Sequence, residues 1–224
     1  MPTVSASTLS IPQLTALPTS PLDRRWEALP HHALTHFHAR SSTHHPVVTA
    51  QLGHSRTHLH LRFSVHDQYV LSETLQLNGP VCTDSCVEFF VEPVPGLGYF
   101  NIEINAGGTV HCSHITDPTP TPTGFGACAP LSTSELATIT IATTLPRVIS
   151  PEIATPLDWA MCATIPIELF SKRLGRTPPV PGTWRGNFYK CADRSSHPHW
   201  ASWSPIGERL AFHVPEHFGT LELT

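Results

Sequence analysis

The sequence predicts an all-β protein, an antiparallel β-sandwich of jelly-roll-like form with long proline-rich loops and at most short helical turns. Short segments of alternating apolar and polar residues recur between turn-forming residues, as is typical of sandwiches. The chain holds 23 Pro and 13 Gly among its 224 residues, so turns should be frequent. No apolar stripe with helical spacing continues beyond about three turns. Together these observations exclude a helical bundle.

The centre of the chain predicts a meander of three strands, Thr83–Glu92, Tyr99–Asn105 and Thr109–Ile115. The first connection, residues 93–98, contains two prolines and two glycines, which a strand interior does not tolerate together. The second connection ends in a Gly-Gly pair, which accepts the positive φ that hairpin turns require. The three strands should therefore be neighbours in one sheet.

Side chains alternate between the two faces of a strand, and this sorts the meander into two sets. The apolar set belongs to the core and comprises Val87, Phe89, Val91, Phe100, Ile102 and Ile104. The opposite set mixes carboxylates, amides and rings: Cys86, Glu88, Phe90, Glu92, Tyr99, Asn101, Glu103 and Asn105. Alternation alone favours a solvated outer face for this second set over a concave binding face, because antiparallel sheets often have one wet side.

The remaining sequence predicts further short strands around this meander. They are Val47–Leu52, His58–Asp67, Leu136–Thr143, Asp158–Ile165, Thr183–Cys191, Ala201–Pro205 and Phe218–Leu223. Long loops are predicted at Gln68–Cys82, Asp117–Pro130 and Pro146–Pro156, and a short helical turn at Ile167–Phe170. Residues 1–22 are predicted to form an extended lead-in, and residues 23–224 a single β-sandwich domain.

Composition limits the partners. The net charge is −4 with histidine neutral, and no basic stripe is present, so nucleic acid is not an expected partner. No apolar run reaches the ~20 residues of a membrane span. The N-terminus lacks the basic start and apolar stretch of a signal peptide, which predicts a cytoplasmic protein, with a secreted protein whose leader was removed as the alternative. The oligomeric state is left open.

The cysteines and histidines suggest several metal sites, none of them strongly. Cys82 and Cys86 are four residues apart, but the six cysteines contain no second close pair, so a four-thiolate zinc site is poorly supported and reduced thiols are favoured. The stretch His31–His45 contains six histidines, and His58 and His60 share a strand face. Solvent-exposed histidines are the favoured interpretation of both, and the metal content stays unknown.

Five stretches occur in an order that resembles a known family. They are Asp84–Phe90, Tyr99–Asn105 followed by Gly107-Gly108, Trp184–Lys190, Trp203–Pro205, and Phe212–Gly219. Together they resemble carbohydrate-binding module family 9, in particular its stand-alone bacterial type, over about residues 24–224. The resemblance implies a sandwich that binds a sugar, such as the end of a glucan or xylan chain, without cleaving it. It also implies a possible structural calcium held by carboxylates and carbonyls.

The resemblance and the chemistry of sugars together predict the site residues. Aromatic rings cover the C–H faces of a sugar, and carboxylates or amides bond its hydroxyls. The resemblance places the family's glutamate on Glu88, a polar position on Asn101 and a stacking ring on Phe212. Where the family's first stacking tryptophan would lie, residues 79–83 contain no aromatic side chain. The full predicted set is Glu88, Asn101, Glu103, Asn187, Tyr189, Trp203 and Phe212, with Arg185 as a partner for Glu88.

Three alternatives accompany this prediction. The first is the same fold without sugar binding, acting as a structural or interaction module. The second is a glycoside hydrolase using Glu88 and Glu103, since such enzymes need two carboxylates across the scissile bond. A non-catalytic protein is favoured over this hydrolase, although it could be associated with glycoside hydrolysis. The third is a haem-binding sandwich with Met161 as a ligand.

Overall fold

The computed structural model describes residues 7–122 and 124–224. Its strands, in chain order, are β1 Thr8–Ile11, β2 His32–Ala33, β3 His36–Phe37, β4 Val47–His54, β5 His58–Asp67, β6 Val70–Ser72, β7 Cys86–Glu92, β8 Tyr99–Asn105, β9 Val110–Thr121, β10 Gly124–Pro130, β11 Thr140–Thr143, β12 Ile149–Ile153, β13 Leu157–Pro166, β14 Gly182–Cys191, β15 Trp200–Ser202 and β16 Gly219–Leu223. The helices are α1 Thr133–Leu136 and α2 Ile167–Leu174, with 3-10 turns at Arg24–Ala28, Val81–Thr83 and Pro215–His217. The all-β prediction is confirmed. No helix in the described ranges is long and apolar enough to cross a membrane.

Two sheets form the sandwich. The larger follows the order β1-β16-β14-β7-β8-β9-β10, and β15 connects β14 to β3 at its side. The smaller follows the order β11-β13-β5-β4-β2, and β12 pairs separately with β6. Strand β1 runs parallel to β16, whereas the meander β7-β8-β9 is antiparallel, as predicted.

The core lies between the two sheets. The predicted apolar faces of the meander and of β5 meet there and comprise Leu59, Leu61, Phe63, Val65, Val87, Phe89, Val91, Phe100, Ile102 and Ile104. Each of these side chains is at most 2% exposed. Phe63 of the smaller sheet contacts Phe188 of the larger with ring centroids 6.0 Å apart. Burying side chains of this size contributes about 1.5–3 kcal/mol each, so this layer is the main source of stability.

Three predicted loops contain strands. Gln68–Cys82 includes β6, Pro146–Pro156 includes β12, and Asp117–Pro130 belongs to the β9–β10 hairpin. Pro118 and Pro120 are tolerated because they lie in the part of β9 beyond Ile115, which pairs with β10 but no longer with β8. The β6–β12 pair has only edges, where a missing N–H breaks no ladder.

Two boundaries also differ from expectation. Part of the predicted lead-in is the strand β1, whose Ile11 is 0% exposed; residues 1–6 lie outside the described part. The predicted strand Leu136–Thr143 starts late, because Ser132 caps α1 through a capping box with Glu135 and β11 begins only at Thr140.

The outer face of the meander is covered by a second layer of chain. Phe90, Tyr99 and Tyr189 form a small apolar cluster with Ile206, Val214 and Phe218. We call residues 206–218 the C-terminal cover. Every residue of β7 and β8 is consequently buried. The interpretation of this face as a solvated surface, which alternation favoured, is therefore wrong.

Candidate functional site

A cavity of about 320 Å³ lies against the outer face of the meander, beside the C-terminal cover. Its walls come from the 3-10 turn before β7, from β7, β8 and the end of β14, from the start of β15 and from the C-terminal cover. The lining residues are Cys82, Glu88, Glu103, Cys191, Asp193, Trp200, Leu210, Ala211, Phe212 and His213. Polar groups therefore form one part of the wall, and apolar and aromatic groups form the rest.

Two carboxyl groups lie side by side in this wall. Glu88 and Glu103 occupy directly opposite positions on β7 and β8, where antiparallel side chains are neighbours. Cys191 Sγ donates to Glu88 Oε1 at 3.1 Å, and Asn101 Nδ2 donates to Glu103 Oε1 at 2.8 Å. Burial and then the charge of Glu103 raise the pKa of Glu88, and burial raises the pKa of Glu103. A protonated carboxyl of this pair can donate a hydrogen bond while the other accepts one.

Two aromatic rings form another part of the wall. Phe212 stacks on the buried Tyr189, with centroids 4.2 Å apart and planes 11° apart. Tyr189 Oη also donates to the Phe212 carbonyl at 3.1 Å, so the ring and backbone of Phe212 are both fixed. Trp200 Nε1 donates to Asp193 Oδ1 at 2.7 Å, which orients the indole. Both cavity rings pack, with Cys82, against the buried cluster of Val81, Cys86 and Cys191.

His213 completes the apolar side of the cavity as a neutral group. Its Nδ1 lies 2.9 Å from Tyr99 Oη, and its ring lies 4.2 Å from the Phe125 ring and 4.8 Å from the Phe90 ring. Burial, followed by the nearby charge of His111, lowers the pKa of His213 to about 4. The imidazole is thus uncharged at neutral pH and adds no cation to the wall.

A cluster of thiols lies at the side of the two carboxyl groups. Cys86 of β7 is directly opposite Cys191 of β14, and both are free and buried. One ligand atom each from Cys86, Glu88 and Cys191 lies within 4.8 Å of the others. Burial raises the pKa of the Cys86 thiol to about 12, so without a cation this thiol keeps its proton.

The sequence profile of carbohydrate-binding family 9 matches residues 22–223. The chain belongs to this family. A similar solved structure is that of a proposed carbohydrate-binding protein from Bacteroides uniformis ATCC 8492, with 28% identity, a TM-score of 0.84, and coverage of 97% of this chain and 99% of that one.

Two further structures share the fold. They are family 9 modules from Caldicellulosiruptor kristjanssonii. The module in complex with cellotriose is 14% identical, with a TM-score of 0.64 and coverage of 97% and 94% of the two chains. The module in complex with glucose is 13% identical, with a TM-score of 0.63 and coverage of 97% and 96%. No curated protein matches the chain significantly.

Three of the seven site residues predicted for this family 9 chain line the cavity: Glu88, Glu103 and Phe212. Two more support them from behind, because Asn101 bonds Glu103 and Tyr189 stacks under Phe212. The role of all five as ligand contacts or supports stays a prediction.

Three residues lie elsewhere than expected. Asn187 is 0% exposed, and its amide bonds the Ser204 backbone. Trp203 belongs to the core between the sheets, with its ring 6.0 Å from that of Phe188. Arg185 pairs with Glu92 at 3.1 Å rather than with Glu88. Neither Asn187 nor Trp203 therefore lines the cavity.

The cavity is also lined by residues that the sequence did not reveal, chiefly Trp200, Asp193 and Cys191. Cys191 shares a strand face with Tyr189, so alternation contained a signal for it. Trp200 and Asp193 have no such signal, because the stretch from Ala192 to the first residue of β15, Trp200, shows no alternation.

The structure places the candidate ligands for calcium and for haem in different surroundings. Two of the three donors in the Cys86–Glu88–Cys191 cluster are thiols, whereas calcium prefers oxygen ligands. No other group of three or more His, Cys, Asp or Glu converges this closely in the described ranges. Calcium is thus an expectation from the family that this donor set does not fit. Met161, considered as a haem ligand, is 0% exposed and belongs to the core cluster between the sheets.

Proposed function

We propose that this family 9 protein binds the end of a saccharide in the cavity and does not cleave it. The observation that carries the proposal is the convergence of two carboxyl groups, Glu88 and Glu103, with two rings, Trp200 and Phe212, in one cavity. Rings cover the apolar faces of a sugar, and carboxyl groups bond its hydroxyls. Concave sites with a few convergent polar groups are typical of small-ligand binding.

The size of the cavity favours a short ligand. A volume of about 320 Å³ lies near the lower end of the ~300–1,000 Å³ typical of ligand sites. It suits a monosaccharide or a chain end better than the middle of a polysaccharide. The family 9 modules solved with glucose and with cellotriose support a β-glucan end as the first ligand to test.

The arrangement of rings explains how a site can exist without an aromatic residue in 79–83. Cys82 lies at the cavity wall in that stretch, and Trp200 packs against the same buried cluster as Cys82. The ring thus comes from Trp200, the first residue of β15. Phe212, supported by Tyr189, supplies the second ring.

Calorimetric titration with glucose, cellotriose and xylotriose tests the proposal. We expect saturable binding of at least one of them. Glu88→Gln should lower the affinity at least about tenfold, since a buried hydrogen-bonding group left without its partner costs about 1–3 kcal/mol. Trp200→Ala and Phe212→Ala should lower it by a similar factor, because each removes a ring that covers an apolar face of the sugar. Glu222→Gln is the matched control, because Glu222 is exposed on β16; it should bind as the wild type does.

Two outcomes would contradict the proposal. Absence of binding by the folded wild type at millimolar concentrations of every glycan tested would favour the alternative, a structural module that has lost sugar binding. Release of reducing sugar by the wild type but not by Glu88→Gln would instead show that the carboxyl pair is catalytic.

A further inference from the structure

The buried Cys86–Glu88–Cys191 cluster has a geometry that sugar binding does not require. Cys86 is 0% exposed and does not line the cavity, yet its Sγ converges with Cys191 Sγ and a Glu88 oxygen within 4.8 Å. The contact from Cys191 Sγ to Glu88 Oε1, at 3.1 Å, is the only hydrogen bond that the Glu88 carboxyl group makes with the described residues. A carboxyl 2% exposed with so few partners is costly to bury.

We propose that this cluster binds a thiophilic divalent cation of the Zn²⁺ type, with Cys86 Sγ, Cys191 Sγ and one Glu88 oxygen as ligands. This site goes beyond saccharide binding and does not depend on it.

The spacing of the donors fits such a cation. Tetrahedral Zn²⁺ has Zn–S bonds of about 2.3 Å and Zn–O bonds of about 2.0–2.2 Å, which place its ligand atoms roughly 3.3–3.8 Å apart. The three donors already lie within 4.8 Å of one another, so side-chain movements of about 1 Å close the shell. Two thiolates with one carboxylate suit Zn²⁺ or Cd²⁺ and not Mg²⁺ or Ca²⁺.

The backbone holds the donors in place, and the cavity gives access to them. Cys86 and Cys191 are paired across the β7–β14 ladder, and Glu88 is two residues further along the same face. Because Glu88 and Cys191 line the cavity while Cys86 lies behind them, three protein ligands leave the fourth position on the cavity side. Water or a hydroxyl group from the cavity would complete the shell.

Cadmium titration of the full chain, kept reduced, tests the site. We expect one Cd²⁺ per chain with thiolate-to-cadmium charge-transfer absorbance. Cys86→Ser and Cys191→Ser should each lower the Cd²⁺ affinity by at least about tenfold, the lower end of the effect of losing even an outer-shell group. Cys162→Ser is the control, since Cys162 lies on β13 of the other sheet. Absence of the charge-transfer band, or a band that persists in Cys86→Ser, would overturn the proposal.

X-ray absorption of the Zn²⁺-loaded wild type keeps the proposal testable if the serine variants do not fold. Two sulfur scatterers at about 2.3 Å with oxygen completing the shell are expected. A shell of nitrogen alone would place the metal on the abundant histidines and overturn the proposal. A negative result in either metal experiment leaves the glycan titration of the metal-free protein unaffected, so the two functions fail separately.

Discussion

Lys190 is the residue whose environment is least compatible with its chemistry. Its side chain is 0% exposed, and its Nζ lies 3.4 Å from Asp67 Oδ2, which is also 0% exposed. Nζ donates to the Cys191 carbonyl at 3.0 Å and lies 2.7 Å from His199 Nε2. Although burial opposes it, the Lys190 charge lowers the pKa of Asp67. The pair therefore neutralises two charges behind the end of β14 that carries Cys191.

Replacing one member of this pair should be far more harmful than replacing both. Lys190→Met leaves Asp67 buried without its cation, and loss of one partner of a buried pair typically costs about 3–5 kcal/mol. The double variant Lys190→Met/Asp67→Asn should recover part of this loss in urea-induced unfolding. Lys172→Met is the control, because its pair with Glu168 at 2.9 Å is exposed and should contribute about 0–1 kcal/mol. Equal destabilisation by the single and double variants would show that the charge pairing is not what matters.

At the scale of elements, local pattern predicts strands well where one face is wholly apolar. The bounds of β5 and β8 match the predicted segments because alternation and turn residues agree there. The predicted loop Asp117–Pro130 instead forms the outer part of the β9–β10 hairpin. Its prolines are typical of strand breakers, and only the sheet order shows that β10 is an edge. The strand β1 was missed because its partner, β16, lies at the other end of the chain.

Strand β14 lies so close to its neighbours at Gly186 that a larger residue there should destabilise the protein. A Cβ on Gly186 would lie 2.6 Å from the Phe90 carbonyl oxygen and 2.9 Å from Leu221 Cδ1. Backbone cannot move aside easily, so Gly186→Ala should destabilise the protein by about 1–3 kcal/mol, the usual cost of overpacking. Chemical denaturation measures this.

Gly53→Ala provides the comparison on the other sheet. A Cβ there would meet only the flexible Leu14 side chain, at 2.9–3.1 Å, so the cost should be clearly smaller. If Gly53→Ala proved as harmful as Gly186→Ala, backbone crowding on β14 would not be the cause.

At the scale of the molecule, the candidate site depends on three distant stretches meeting. Glu88 and Glu103 could be found from sequence, because a charge within an apolar strand needs a partner or a ligand. Trp200 could not, because its position beside Cys82 results from the return of the chain between β14 and β15. Nor could alternation reveal that the C-terminal cover turns an outer face into a cavity wall.

Two histidines, the buried His199 and the half-buried His213, predict how the stability of the whole protein changes with pH. Burial, followed by Lys190, lowers the pKa of His199 to about 3, with Asp67 opposing and His44 adding to the shift; His213 is lowered to about 4. Both histidines regain their ordinary value of 6.5 on unfolding, so the unfolded state binds more protons below that pH. Their contribution to stability is complete above pH 6.5 and falls by up to about 1.4 kcal/mol per histidine for each pH unit below it.

The raised pKa values of Glu88 and Glu103 act in the opposite direction, because the folded state then holds protons that the unfolded state releases. Comparing each variant with the wild type at the same pH cancels the contribution of Glu88 and Glu103 to the free energy of unfolding. His213→Phe should make the free energy of unfolding fall less steeply between pH 6.5 and 5.5, by up to about 1.4 kcal/mol over that unit, since the ring fits among aromatic neighbours but cannot titrate. Urea denaturation at each pH measures the slope, with exposed His36→Gln as the control. A slope unchanged by His213→Phe would mean that His213 takes up its proton while the protein is still folded, and so does not contribute to acid sensitivity.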